Sequence, residues 1–151
     1  MTTRWCESCA MVTSADQITL VDTSVAVALV VQDHANHDDV MRAVGSERLG
    51  LAGHAAFETY SVLTRLPSPA RRDPATIARL LASNFPESRH LPERVAKRLL
   101  QELPALGLAG GAVCDALVGA TARHHGLVLV SRDVRASSTY RALGVGVRLI
   151  T

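Results

Sequence analysis

Short, mostly apolar runs, rich in β-branched residues, alternate along this chain with helix-like stretches. Ile18-Thr-Leu-Val21, Leu49-Gly-Leu-Ala52 and Leu127-Val-Leu-Val130 are such runs, while Arg89-His-Leu91 reads as a short strand and Val147-Arg-Leu-Ile150 as a closing one. A strand that is apolar at successive positions must be buried on both faces, and that happens in parallel sheets sandwiched between helices. Helix punctuation recurs between the runs. Thr23-Ser24 can cap a helix through Val31, a second helix crosses Val40, Met41 and Val44 towards Gly45, and a third runs from Gly53 to Leu66 before Pro67 and Pro69. Pro74 to Asn84, Pro92 to Leu103, Ala112 to His125 with Gly126 as its stop, and Val134 to Leu143 read as further helices. The pattern predicts an α/β fold: one domain whose parallel central sheet of about five strands is covered by helices on both faces.

Composition narrows the class. A chain of 151 residues has room for one domain, and its 48% hydrophobic and 20% charged residues suit a packed globule rather than a disordered chain. The longest apolar run, Val25 to Val31, is far short of the ~20 residues that span a bilayer, and the N-terminus lacks a signal-type apolar stretch. A cytoplasmic protein with no membrane segment is the expectation. Three cysteines disfavour a disulfide framework. Cys6 and Cys9 form a C-x-x-C without a second Cys or His pair to complete a zinc site. Residues 1–16 therefore read as a flexible N-terminal extension, with Met11 as an alternative start, and residues 17–151 as the domain.

The acids are the informative residues. In open parallel sheets, ligands bind beyond the carboxyl ends of the strands. Asp22 directly follows the first strand, and Asp133 lies just past Leu127–Val130, at the same edge. From Asp115 to His125 a helix descends ~15 Å, and the following strand climbs back ~13–16 Å, so Asp115 and Asp133 return to one level. Glu58, early in the helix after the second strand, belongs near that edge too. Four carboxylates so placed would repel one another unless a cation held them, and an all-oxygen ligand set suits Mg²⁺ or Mn²⁺. Such a site can activate water against a phosphodiester. Other candidates carry less. His34, His37, Asp38 and Asp39 fit a solvated loop and helix start, His124 and His125 suit a helix C-terminus, and Gly110-Gly111 follows no strand as a phosphate loop would. Arg71-Arg72 reads as a solvated turn.

Four segments, Leu20-Val-Asp-Thr-Ser24, Ala56-Phe-Glu-Thr59, Gly110 to Ala122 and Leu127-Val-Leu-Val-Ser-Arg-Asp133, appear in an order that resembles the PIN domain, and within it the VapC toxins of type II toxin–antitoxin pairs. The resemblance covers residues 17–151. It implies a metal-dependent endoribonuclease that cleaves RNA phosphodiester bonds with metal-activated water. Asp22 and Asp115 would be the main Mg²⁺ ligands, and Glu58 and Asp133 would complete the site directly or through water. Ser24 and Ser131 would be supporting hydroxyls. A homodimer and a VapB-type antitoxin lying over the groove are also implied. Cys114 stands where many relatives carry an aromatic residue.

Two rival readings remain at this point. A phosphoacceptor receiver domain also places Asp at strand ends, but it needs a Lys after a late strand, and the only lysine, Lys97, falls within a helix. A catalytically inactive PIN-like binding module would keep the fold without needing all four acids. All four acids are present, which disfavours it, and the charge balance leans towards an RNA partner. Sixteen basic and 14 acidic residues give +2, and setting the four candidate ligands aside leaves 16 against 14 − 4 = 10, or +6. A negative pocket in a basic body suits a site that cuts a polyanion.

Overall fold

A computed structural model describes residues 16–151. Cys6, Cys9 and Met11 lie outside the described residues. The elements run β1 (Ile18–Val21), α1 (Thr23–Val30), α2 (His37–Val44), β2 (Arg48–Leu51), α3 (His54–Thr64), α4 (Pro74–Asn84), α5 (Glu93–Leu106), α6 (Ala112–His125), β3 (Val128–Ser131), α7 (Ser137–Ala142) and β4 (Val147–Leu149). The sheet is parallel throughout, in the order β2-β1-β3-β4. Among the described residues no helix is long and apolar enough to cross a membrane.

Register explains why β1, β2 and β3 are apolar at most positions, while the edge strand β4 carries Arg148 and is largely exposed. Val21 lies opposite Leu51 and Val130, while Leu20 lies opposite Gly50 and Leu129. Val21, Leu51 and Val130 pack with Val25, Leu29, Val40 and Val44 of α1 and α2 and with Phe85 after α4. Leu20 and Leu129 pack instead with Ala55 of α3, Val118 and Ala122 of α6 and Tyr140 of α7. A third cluster joins Leu99 and Leu103 of α5 to Ala116 and Ala120 of α6. Both sheet faces are thus covered, as parallel strands require.

The sheet has four strands rather than about five. The run around Arg89-His-Leu91 makes only a single bridge, between Arg89 and Ala52. This segment does follow β2: Glu87 donates its N–H to Leu49, Arg89 to Leu51, and Gly53 donates back to Arg89. The ladder is interrupted because the Leu51 N–H bonds the Ser88 hydroxyl at 2.9 Å instead of a backbone carbonyl. Gly50 permits the approach, since a Cβ there would stand 2.1 Å from the Glu87 carbonyl oxygen. Two helices also differ from expectation. α5 continues past Leu103 through Pro104, ending at Gly107 with φ +66°. α7 begins late because the Asp133 carboxylate accepts the Arg135 N–H at 2.9 Å, a turn that competes with helix.

Candidate metal centre

The site grows from the end of β1. Asp22 leaves the strand in extended conformation (φ −88°, ψ 179°) and caps α1, its Oδ1 accepting the Val25 N–H at 3.1 Å. The cap is therefore Asp22, not Thr23-Ser24. The Ser24 hydroxyl instead turns back and donates to Asp22 Oδ1 at 2.6 Å. On the other oxygen, Oδ2, the Ser131 hydroxyl donates from the end of β3, and the Tyr140 hydroxyl stands at 3.5 Å. Each serine also receives a backbone N–H from the loop after β3, Ser24 from Arg132 at 2.9 Å and Ser131 from Asp133 at 3.0 Å. The two hydroxyls thus fasten this loop to Asp22 and fix where Asp133 begins.

The other acids gather around this anchor. Thr23 donates its hydroxyl to Glu58 Oε2 at 2.9 Å, drawing α3 towards the start of α1. Asp115 sits in the first turn of α6, where the helix dipole favours negative charge. Asp22 is buried, Asp115 and Asp133 are half-buried, and Glu58 is exposed. Burial holds the Asp22 carboxyl above the usual carboxylate range; its serine and backbone donors oppose this, and the charge of Asp133 adds to it. Burial raises Asp115 too, followed by the charges of Asp133, Glu58 and Asp22, while Arg135 works the other way. All four predicted acids therefore share one electrostatic site. Burial also pushes the Tyr140 phenol up, so it stays a protonated donor facing Asp22.

Among the described residues no group of three or more His, Cys, Asp or Glu side chains is drawn together closely enough to hold a metal ion. The carboxylates are instead held by hydroxyls and backbone. That arrangement fits a hard divalent cation, which takes one or two carboxylates and keeps several waters, better than a metal needing a dedicated all-protein shell. The donor set is all oxygen, and Arg135 beside Asp133 offsets only part of its negative charge, so residues and group are chemically matched.

Sequence reasoning missed Tyr140, whose only visible signal is an aromatic residue in a short helix just after Asp133. It also missed the Thr23–Glu58 bond. The weaker candidates have structural partners. His34 Nδ1 accepts the Asn36 N–H, His37 Nδ1 meets the Ala28 carbonyl at 2.8 Å, and His125 Nε2 meets the His90 carbonyl at 2.9 Å. Arg71 and Arg72 donate to nearby backbone carbonyls.

With this geometry in view, comparisons with known proteins converge. The PIN domain family model matches residues 19–142. The chain is 44% identical over 127 residues to Ribonuclease VapC27 of Mycobacterium tuberculosis, covering 84% of this chain and 93% of that protein. Its fold is similar to VapBC2 from Rickettsia felis bound to a DNA fragment from their promoter (TM-score 0.64, 13% identity, 89% of this chain and 100% of that one). It is also similar to VapC20 of Mycobacterium tuberculosis, a sarcin–ricin loop cleaving toxin (TM-score 0.63, 22% identity, 81% of this chain and 94% of that one). At these identities the two structures speak for the fold alone.

Proposed function

Because the chain belongs to the PIN domain family, among the VapC ribonucleases, we propose that it is a divalent-metal-dependent endoribonuclease and the toxin of a type II toxin–antitoxin pair. The observation that supports this reading is that the charges of Asp133, Glu58 and Asp22 all act on Asp115. Mg²⁺ is the preferred cation, with Mn²⁺ as a substitute, and residues 17–151 form the catalytic unit.

Asp22 and Asp115 would be the principal ligands, with Glu58 and Asp133 completing the site directly or through water. A bound cation would supply an activated water and neutralise charge developing on the phosphate. The chain's own residues do the rest. Ser24 and Ser131 hold Asp22 in one rotamer, Thr23 steers Glu58, and the Asp133 turn fixes the loop after β3. Arg135, whose side chain is 95% exposed beside Asp133, is placed to meet a phosphate of the RNA backbone. The named relatives are a ribonuclease and toxin–antitoxin proteins. By that likeness the partners are RNA, a VapB-type antitoxin and a second copy of this chain, in the cytoplasm.

The test is cleavage of structured RNA by purified protein, with and without EDTA, beside Asp22→Ala and Asp115→Ala. Cleavage by the wild type alone, abolished by EDTA, is expected. Equal cleavage in all four samples would sink the proposal, and no cleavage in any of them would favour an inactive binding module.

A further inference from the structure

Tyr140 is nearly fully buried, 1% exposed, and its hydroxyl stands 3.5 Å from Asp22 Oδ2. Its ring occupies a place made for it. Gly119 lies in the middle of α6, where glycine costs roughly 1 kcal/mol of helix stability relative to alanine. A Cβ at Gly119 would stand 2.9 Å from Tyr140 Cδ1, with Leu143 and Val145 at 3.2 and 3.3 Å. Gly119 is one helical turn beyond Asp115, so the two share a face of α6. One side chain of α7 therefore rests on the helix that carries Asp115 and reaches the carboxylate at the end of β1.

We propose that Tyr140 is a positioning residue that, seated on Gly119, sets the spacing between Asp22 and Asp115 and so tunes affinity for the divalent cation. The inference rests on the metal-dependent reading above. Four donors face the Asp22 carboxylate: Val25 N–H and Ser24 on Oδ1, Ser131 and Tyr140 on Oδ2. An ionised carboxylate has about four acceptor sites. The Tyr140 contact exceeds the usual O–H···O range of about 2.5–3.0 Å, so this is the acceptor site a cation can most easily share. The phenol confines Asp22 without saturating it. Ser24 and Ser131 fix Asp22 relative to β3, but of the four donors only Tyr140 packs against α6.

The experiment is a Mn²⁺ titration followed by calorimetry and, in parallel, by RNA cleavage, on wild type, Tyr140→Phe and Gly119→Ala. Tyr140→Phe keeps the ring and the fold. Outer residues that orient metal ligands are worth 10–100-fold in metal affinity, and this long contact belongs near ~10-fold. The expected result is a roughly tenfold rise in the Mn²⁺ Kd and in the half-saturating Mn²⁺ for cleavage, with thermal stability of the metal-free protein and RNA KM little changed. Gly119→Ala displaces the ring and should raise the Mn²⁺ Kd as well, and the double variant should add little to either single change. Unchanged Mn²⁺ affinity in Tyr140→Phe would overturn the inference while leaving the enzyme intact. A wild type that neither binds Mn²⁺ nor cleaves RNA would instead overturn the functional reading on which it rests.

Discussion

Asp22 is a buried carboxylate that also feels the charge of Asp133. Its carboxyl pKa is raised by burial, so the native state keeps the proton to higher pH than the unfolded chain does. Stability of the metal-free protein should therefore fall as pH rises from about 4, the unfolded value, through the raised native value. Asp22→Asn keeps an acceptor for the Val25 N–H but sheds the charge. It should raise the metal-free Tm at pH 7, by roughly 2–4 °C for each kcal/mol relieved, while losing the stabilisation that Mn²⁺ gives wild type. A thermal melt with and without Mn²⁺ checks both halves, and a lower metal-free Tm would contradict them. The same shift, shared by Asp115, makes protons compete with the cation at higher pH than for ordinary carboxylates. Mn²⁺ affinity should therefore weaken as pH falls, starting at a higher pH than ordinary carboxylates would give, as calorimetry at several pH values would read. The four acids were legible in the sequence because strand ends and helix starts fix their height. Tyr140 was not, because its role depends on a contact across 118 residues of chain.

Among elements, four strands were legible to within a residue, since a buried parallel strand has little polar face to confuse its period. Ile18–Val21 matches its expected bounds, and α4 and α6 do so too, with Pro74 starting one and Gly126 in the left-handed region stopping the other. The edge beside β2 was misjudged as a strand because its backbone pairing is broken by a side chain, which no apolar pattern records. Two substitutions test that account. Gly50→Ala drives a methyl into the Glu87 carbonyl and should cost about 1–3 kcal/mol, the usual penalty of overpacking. Ser88→Ala leaves the Leu51 N–H without its acceptor and should cost about 1–3 kcal/mol. Urea unfolding measures both. Losses under half a kcal/mol would mean that the segment is not held to β2 in this way. The start of α1 was misread for a related reason: the cap is set by Asp22, whose carboxylate reaches the Val25 N–H while Ser24 is recruited to Asp22 itself.

Across the whole molecule, a near-neutral total of +2 divides into a negative cluster and a basic remainder. Attraction to RNA should then depend on salt, with log affinity falling by about 0.7 per neutralised phosphate for a single strand. Arg135→Ala should reduce that slope by about one contact, ~0.7, read from filter binding in EDTA across a salt series. An unchanged slope would place the contact elsewhere. By the proposed reading, the fold assembles a divalent-cation site from four separated acids. Calorimetric titration of Mn²⁺ into wild type, Asp22→Asn and Asp115→Asn, each confirmed folded and free of RNA, tests it most directly. Saturable binding by wild type that is lost or weakened at least tenfold in both variants is the predicted result. No binding by wild type, or equal binding by all three proteins, would contradict the account.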